Sequence, residues 1–207
     1  SQIACPDGKY SSNGTGACAD VGNGNMGSTD DINHASSAAD RQVACPIGKY
    51  STNGDGDCVS CADGKFAAST TTVACTDVGA GYFGSSNGVT YASTGATSQI
   101  ACPDGKYSSN GTGACTDVES GKFGSSDGTS HALTGATSQI VCPTGKYSTN
   151  GDGDCIDCLN GKFAASTTTV ACTDVGDGKF GSSNGAYAST GATSQIVCPT
   201  GKYSTNG

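Results

Sequence analysis

The sequence predicts an all-β fold of small disulfide-rich modules, with short β-hairpins and loops stacked as an elongated tandem-repeat rod. Three observations predict it. First, Val, Ile, Leu and Phe number only 25 of 207 residues and there is no Trp. That is too little apolar surface for a conventional core. Second, thirteen cysteines are present, and cross-links stabilise chains that cannot bury enough surface. Third, the string Cys-Pro-x-Gly-Lys-Tyr-Ser starts at Cys5, Cys45, Cys102, Cys142 and Cys198, which marks a repeat array.

The composition also excludes several classes. Ten basic residues against eighteen acidic ones, for a net charge of −8, leave no phosphate-binding face, so no nucleic-acid partner is expected. The longest apolar runs are two or three residues, too short for a transmembrane helix. An enzyme with a buried sheet under packed helices is not expected, and neither is a cofactor. Cysteine usage points to secretion and an extracellular or cell-surface location.

The repeats divide the chain as follows. Residues 1–4 read as the end of a preceding repeat and 5–44 as a short repeat. Residues 45–101 form a long repeat, which carries a 17-residue insert at 59–75. Residues 102–141 are again short, 142–197 long, and 198–207 the start of the next repeat. The steps of 40, 57, 40 and 56 residues combine into a superrepeat of about 97. Residues 1–21 match 98–118 except that Ala19 becomes Thr116, and residues 45–79 match 142–176 with five differences. These differences read as few and scattered, with no specialised tip. Both ends fall inside a repeat, so the chain reads as a window from a longer array.

A shorter motif lies inside the repeats. Gly-Lys-Tyr or Gly-Lys-Phe occurs nine times from Gly8 to Tyr203, with degenerate copies at Gly24-Asn25-Met26 and Gly81-Tyr82-Phe83. Gly lets the backbone turn, Lys lays its stem on the surface, and the ring packs on a disulfide or neighbouring backbone. Each copy is expected to open a short hairpin, and the recurring Asn-Gly steps are turn signals. Residues 34–42 are the nearest approach to a helix, but the equivalent stretch carries Gly95, so both are expected to be loop.

Each superrepeat has six cysteines: Cys5, Cys18, Cys45, Cys58, Cys61 and Cys75, then Cys102, Cys115, Cys142, Cys155, Cys158 and Cys172. Pairing each with its next neighbour closes loops of about 14 residues, each worth about 3 kcal/mol by loop-closure entropy. The alternative phase joins Cys18 to Cys45 and Cys75 to Cys102, and forces Cys58 onto Cys61. The Cys-x-x-Cys pairs lack both the second pair that a zinc ribbon needs and the α/β context of a redox motif, so structural disulfides are expected.

Other chemistry-bearing residues have bland readings beside sharper ones. His34 and His131 occupy one position seen twice, which is Tyr91 and Tyr187 in the long repeats. A site that accepts either ring is a packing position rather than a metal or catalytic site. Asp55-Gly56-Asp57 and Asp152-Gly153-Asp154 space oxygens as calcium loops do, but lack the terminal Glu and read as Gly-rich turns. Asp20, Asp77, Asp117 and Asp174 follow a Cys and read as turn-bonding side chains. No metal site is expected. Asn13-Gly14-Thr15 and Asn110-Gly111-Thr112 are N-glycosylation sequons, and Asn-Gly is also the preferred turn here. Ser69, Thr70, Thr71 and Thr72, with Ser166, Thr167, Thr168 and Thr169, suit O-linked sugars or ordinary solvated positions.

The run Cys-Pro-x-Gly-Lys-Tyr-Ser-x-Asn-Gly-x-Gly-x-Cys, followed by Cys-x-x-Gly-Lys-Phe, resembles the cysteine-rich repeats of ephrin-receptor-like, tumour-necrosis-factor-receptor-like and EGF-like proteins. Arrays similar to these occur in protist surface proteins and flagellar hairs (mastigonemes). The resemblance implies a one-disulfide hairpin loop, and hence Cys5 with Cys18. It covers the Cys-bearing half of the chain; the Cys-free stretches 19–44 and 76–101 depart from it. Together these readings lead to an expected structural protein of an extracellular filament, fibre or coat, with copies of itself and covalent glycans as partners. A cell-surface adhesin or receptor ectodomain is the alternative.

Overall fold

The computed structural model describes residues 2–205; Ser1, Asn206 and Gly207, parts of the expected 1–4 and 198–207 segments, lie outside the described residues. The fold is all-β, with no helix among the described residues and six disulfides in tandem. Two kinds of antiparallel hairpin build it, one stapled then one open in each short repeat, and two stapled then one open in each long repeat.

The first kind is stapled. Lys9–Tyr10 pairs with Ala19–Asp20, and the loop between them is closed by Cys5–Cys18. The same arrangement joins Lys49–Tyr50 to Val59–Ser60, and Lys65–Phe66 to Thr76–Asp77. It recurs 97 residues later as Lys106–Tyr107 with Thr116–Asp117, Lys146–Tyr147 with Ile156–Asp157, and Lys162–Phe163 with Thr173–Asp174. A two-residue strand pair is marginal by itself, so the disulfide supplies what the short ladder cannot.

The second kind is open, and it occupies the Cys-free stretches. Asn25–Ser28 pairs with Arg41–Ala44, Tyr82–Ser85 with Ser98–Ala101, and Lys122–Ser125 with Ser138–Val141. The last copy, Lys179–Ser183, pairs with Ser194–Val197 on one side and Ala186–Tyr187 on the other. These strands are twice as long or more, and they manage without a bridge of their own. Residues 34–40 form loop, as the sequence predicts, but residues 41 and 42, expected to be loop as well, open the strand Arg41–Ala44.

The tripeptide glycine explains both kinds. From Gly8 at φ 75° to Gly201 at φ 81°, it sits in the left-handed region. In Pro6-Asp7-Gly8-Lys9 the Lys9 N–H donates to the Pro6 carbonyl at 3.2 Å, and a left-handed third residue is what a type II turn requires. The Asn-Gly signal behaves differently from expectation. Among the described residues only Asn184-Gly185, with φ 54° and 83°, joins two paired strands directly, as a type I′ turn does. Asn53-Gly54 and its equivalents lie inside the eight-residue stapled loops instead.

The core is thin and made of small side chains. In each open hairpin Val21, Val78, Val118 or Val175 is buried with Ala39, Ala96, Ala136 or Ala192. Ser28, Ser85, Ser125 and Ser182 are fully buried beside them. A Cβ added at Gly27 would lie 3.0 Å from the Ala39 Cβ, which shows how closely the layers approach. Each buried Ala also docks the preceding stapled hairpin: the Ser11 N–H donates to the Ala39 carbonyl at 3.0 Å, beside a parallel bridge from Tyr10 to Ala39. Rings or thioethers then cover the next disulfide. Met26 packs on Cys45 and Cys58, and Phe123 on Cys142 and Cys155.

The chain divides into two compact units, Ser1–Ile100 with Asn110–Ala114, and Ala101–Ser109 with Cys115–Gly207. Within each, a hairpin touches the next but one. In the first unit, Gly8 lies against Asp55, Gly24 against Thr71 and Gly48 against Gly95. In the second, Gly105 lies against Asp152, Gly121 against Thr168 and Gly145 against Gly191.

Candidate functional site

The side chains that link hairpins converge on the turn residue before the tripeptide glycine. His34 Nε2 lies 2.8 Å from Asp7 Oδ1, and the same oxygen accepts the Gly56 N–H at 3.3 Å. Asp7 thus joins an open hairpin and a second stapled hairpin to its own. The arrangement recurs with His131 at 2.8 Å from Asp104, which also accepts the Gly153 N–H at 3.2 Å. In the long repeat Tyr91 bonds Asp63, whose two oxygens take the Gly113 N–H at 3.1 and 3.0 Å. In the last copy the Tyr187 hydroxyl donates to Asn160 at 3.1 Å.

All four rings therefore reach equivalent partners, but they are not equally packed. Tyr187 is 61% exposed. Its loop is one residue shorter than that of Tyr91, and the tight Asn184-Gly185 turn draws the ring into the strand Ala186–Tyr187. The Asp7 carboxyl titrates below its ordinary range. Burial pushes it up, but hydrogen bonds from His34, Gly56 and Gly8, with the attraction of the imidazole, outweigh that. Asp104 is lowered in the same way through His131, Gly153 and Gly105.

The cysteines pair as Cys5–Cys18, Cys45–Cys58, Cys61–Cys75, Cys102–Cys115, Cys142–Cys155 and Cys158–Cys172. Each Cys-x-x-Cys is split between two bridges, so neither forms a dithiol unit. Cys198 has no disulfide partner among the described residues. The Asp55 and Asp57 carboxylates face their own turn: Asp55 accepts from the Asn53 amide and Asp57 from the Cys58 N–H. Among the described residues no group of three or more His, Cys, Asp or Glu is placed to hold a metal ion.

The expectation for the Asp-Val steps needs correction. Asp20, Asp77, Asp117 and Asp174 do not bond to turns; they pair with Lys9, Lys65, Lys106 and Lys162 across the stapled hairpins. The strand register places them opposite one another, which the linear sequence hides. A second recurrent contact was invisible for the same reason. The Gln42, Gln99, Gln139 and Gln195 amide oxygens each accept a backbone N–H at 3.0 Å at the base of an open hairpin.

The glycosylation candidates sort by their hydrogen bonds. Asn13 and Asn110 are exposed, with their carbonyl oxygens accepting the N–H of Thr15 and Thr112 at 3.1 Å. Ser69, Thr70, Ser166 and Thr167 are also exposed. The hydroxyls of Thr71, Thr72, Thr168 and Thr169 instead donate to carbonyls of the same turn, and Thr71 and Thr168 hold φ of 60° and 61°.

Differences between the long repeats that read as scattered gather on one surface. Of the five, four fall at 59, 60, 62 and 63, equivalent to 156, 157, 159 and 160. All eight residues are exposed. They lie where the two stapled hairpins of a long repeat meet.

Taken together, this is a disulfide-stapled tandem-hairpin protein, of a kind suited to an oxidising compartment. No helix of the described residues is long and apolar enough to cross a membrane. No protein-family model matches the chain, and no curated protein sequence is significantly similar to it.

Proposed function

We propose that this chain is a structural repeat protein of an extracellular filament, fibre or surface coat, held by disulfides and carrying covalent glycans. One observation carries the reading. The three-hairpin link of Asp7, His34 and Gly56 returns as Asp104, His131 and Gly153, each displaced by 97 residues. A contact made by one superrepeat can thus be made again by the next at a regular step, as ordered polymers require. The resemblance to EGF-like and receptor-type cysteine-rich repeats supports the module type and a secreted location. Exposed Asn13, Asn110, Ser69 and Thr70 offer attachment points for sugar.

The test is the mass and morphology of purified native material. Long uniform fibres carrying glycan mass are expected. A glycan-free monomer at high concentration would favour an adhesin or receptor ectodomain instead.

A further inference from the structure

The two long repeats differ where their paired stapled hairpins meet, in the size of the apolar side chains and in where the carboxylate stands, at Asp63 in the first and at Asp157 in the second. In the first, Tyr50, Val59, Ala62, Ala74 and the stem of Lys65 line an open hollow of about 330 Å³. Lys49 stands opposite Ser60 there and makes no ion pair among the described residues. In the second, Val59 is replaced by Ile156 and Ala62 by Leu159, 55% and 67% exposed. Ser60 is replaced by Asp157, whose side chain remains 52% exposed while it faces Lys146 at 3.4 Å. One chain therefore carries an apolar hollow with a free cation beside it, and a larger apolar prominence with a carboxylate beside it.

We infer that the Ile156–Leu159 prominence of one copy docks into the Tyr50–Val59–Ala62 hollow of a second copy of this chain, with Asp157 beside that copy's Lys49. The inference rests on the filament reading and supplies its contact. Ordinary solvation of two exposed aliphatic side chains does not explain why four of the five substitutions gather at this place, enlarge the apolar groups of one repeat and move the carboxylate from Asp63 to Asp157. Surfaces so different are heterologous, and a heterologous contact that does not close on itself propagates as an open polymer. It also fixes a stagger of one superrepeat between neighbouring chains. Two aliphatic side chains bury far less than the ~1,600 Å² of a stable interface, so a single contact is weak, with a Kd of about 10 µM to 1 mM.

The experiment uses this chain, Leu159→Asp and Val59→Asp, with disulfide mapping to establish that each is folded. Sedimentation velocity is followed up to about 1 mM. The unchanged chain should associate in open, concentration-dependent fashion. Each variant alone should associate at least tenfold more weakly. An equimolar mixture should stop at a one-to-one dimer, because each variant retains the face that the other has lost. Variants that polymerise like the unchanged chain, or a mixture that stays monomeric, would overturn this contact and leave the filament reading standing. An unchanged chain that is monomeric throughout would overturn both.

Discussion

Ser28 and Ser182 occupy the same buried position but differ in what surrounds the hydroxyl. The Ser28 hydroxyl donates to the Asn33 carbonyl at 2.7 Å and accepts the Asp31 N–H at 3.1 Å. Ser182 Oγ is buried with no partner among the described residues, because the type I′ turn after it leaves out the residues that serve Ser28. Removing a satisfied buried hydroxyl strands its partners, at a cost of about 1–3 kcal/mol. Ser28→Ala should therefore destabilise by that amount in urea unfolding, while Ser182→Ala should be neutral or slightly stabilising. A loss at Ser182 as large as that at Ser28 would refute the explanation. Titration offers a second test at this scale. The Asp7 and Asp104 carboxyls titrate lower in the folded chain than in the unfolded one. The unfolded state therefore takes up protons first as pH falls. The stability they contribute is complete above about pH 4 and is lost as pH drops through the folded value. Asp7→Asn with Asp104→Asn should flatten the acid limb of the stability profile; an unchanged slope would show that other carboxylates set it.

At the scale of the hairpin, two constraints act together, the disulfide and the close approach of neighbours. A methyl group at Gly48 would sit 2.4 Å from the Gly95 carbonyl oxygen, on backbone at φ 81°. One at Gly88 would meet nothing within 4 Å at φ 76°. Gly88→Ala thus incurs only the left-handed strain of about 1–2 kcal/mol. Gly48→Ala adds a backbone clash and should disrupt the packing of the 49–60 hairpin on the 82–101 hairpin. Chemical unfolding and amide exchange of the two variants would show the difference; equal effects would exclude the close approach. The bridges act through the unfolded chain. Replacing both Cys61 and Cys75 by Ala opens a loop of sequence separation 14, which should cost about 3 kcal/mol. The Lys–Asp pairs matter less, since the Asp20 and Asp77 side chains are over four-fifths exposed and such pairs contribute ~0–1 kcal/mol.

For the whole molecule, stability is spread along the chain. The large apolar side chains that are buried, such as Met26, Phe83 and Phe123, are few, and the rest of the core is Cys, Val and Ala. Cross-links stand in for hydrophobic burial, so the folded chain should resist heat and denaturant yet unfold when a thiol reductant is added at moderate denaturant. Circular dichroism with and without reductant measures this. Equal midpoints in both conditions would mean that the hairpin packing is sufficient without the bridges. Contacts between a hairpin and the next but one also predict that unfolding spreads along a compact unit rather than stopping at single modules.

Composition, period and cysteine spacing determined the all-β class, the repeat boundaries and the small size of the modules. These follow from local chemistry: a left-handed glycine, a short loop that a disulfide can close, and too few apolar residues for anything larger. Pairings between distant residues were decided only by the tertiary structure. The stretches 19–44 and 76–101 carry no cysteine, and their strands Arg41–Ala44 and Ser98–Ala101 become legible only once Val21, Gly27 and Ala39 are seen to stack face to face. His34 reads as an isolated ring until the fold brings it and Gly56, 27 and 49 positions from Asp7, to a single carboxylate oxygen of Asp7. The four substitutions at 59–63 likewise become one surface only because two stapled hairpins meet there. Side-chain chemistry is written along the chain, but which groups share a surface depends on where the backbone turns and on what it packs against.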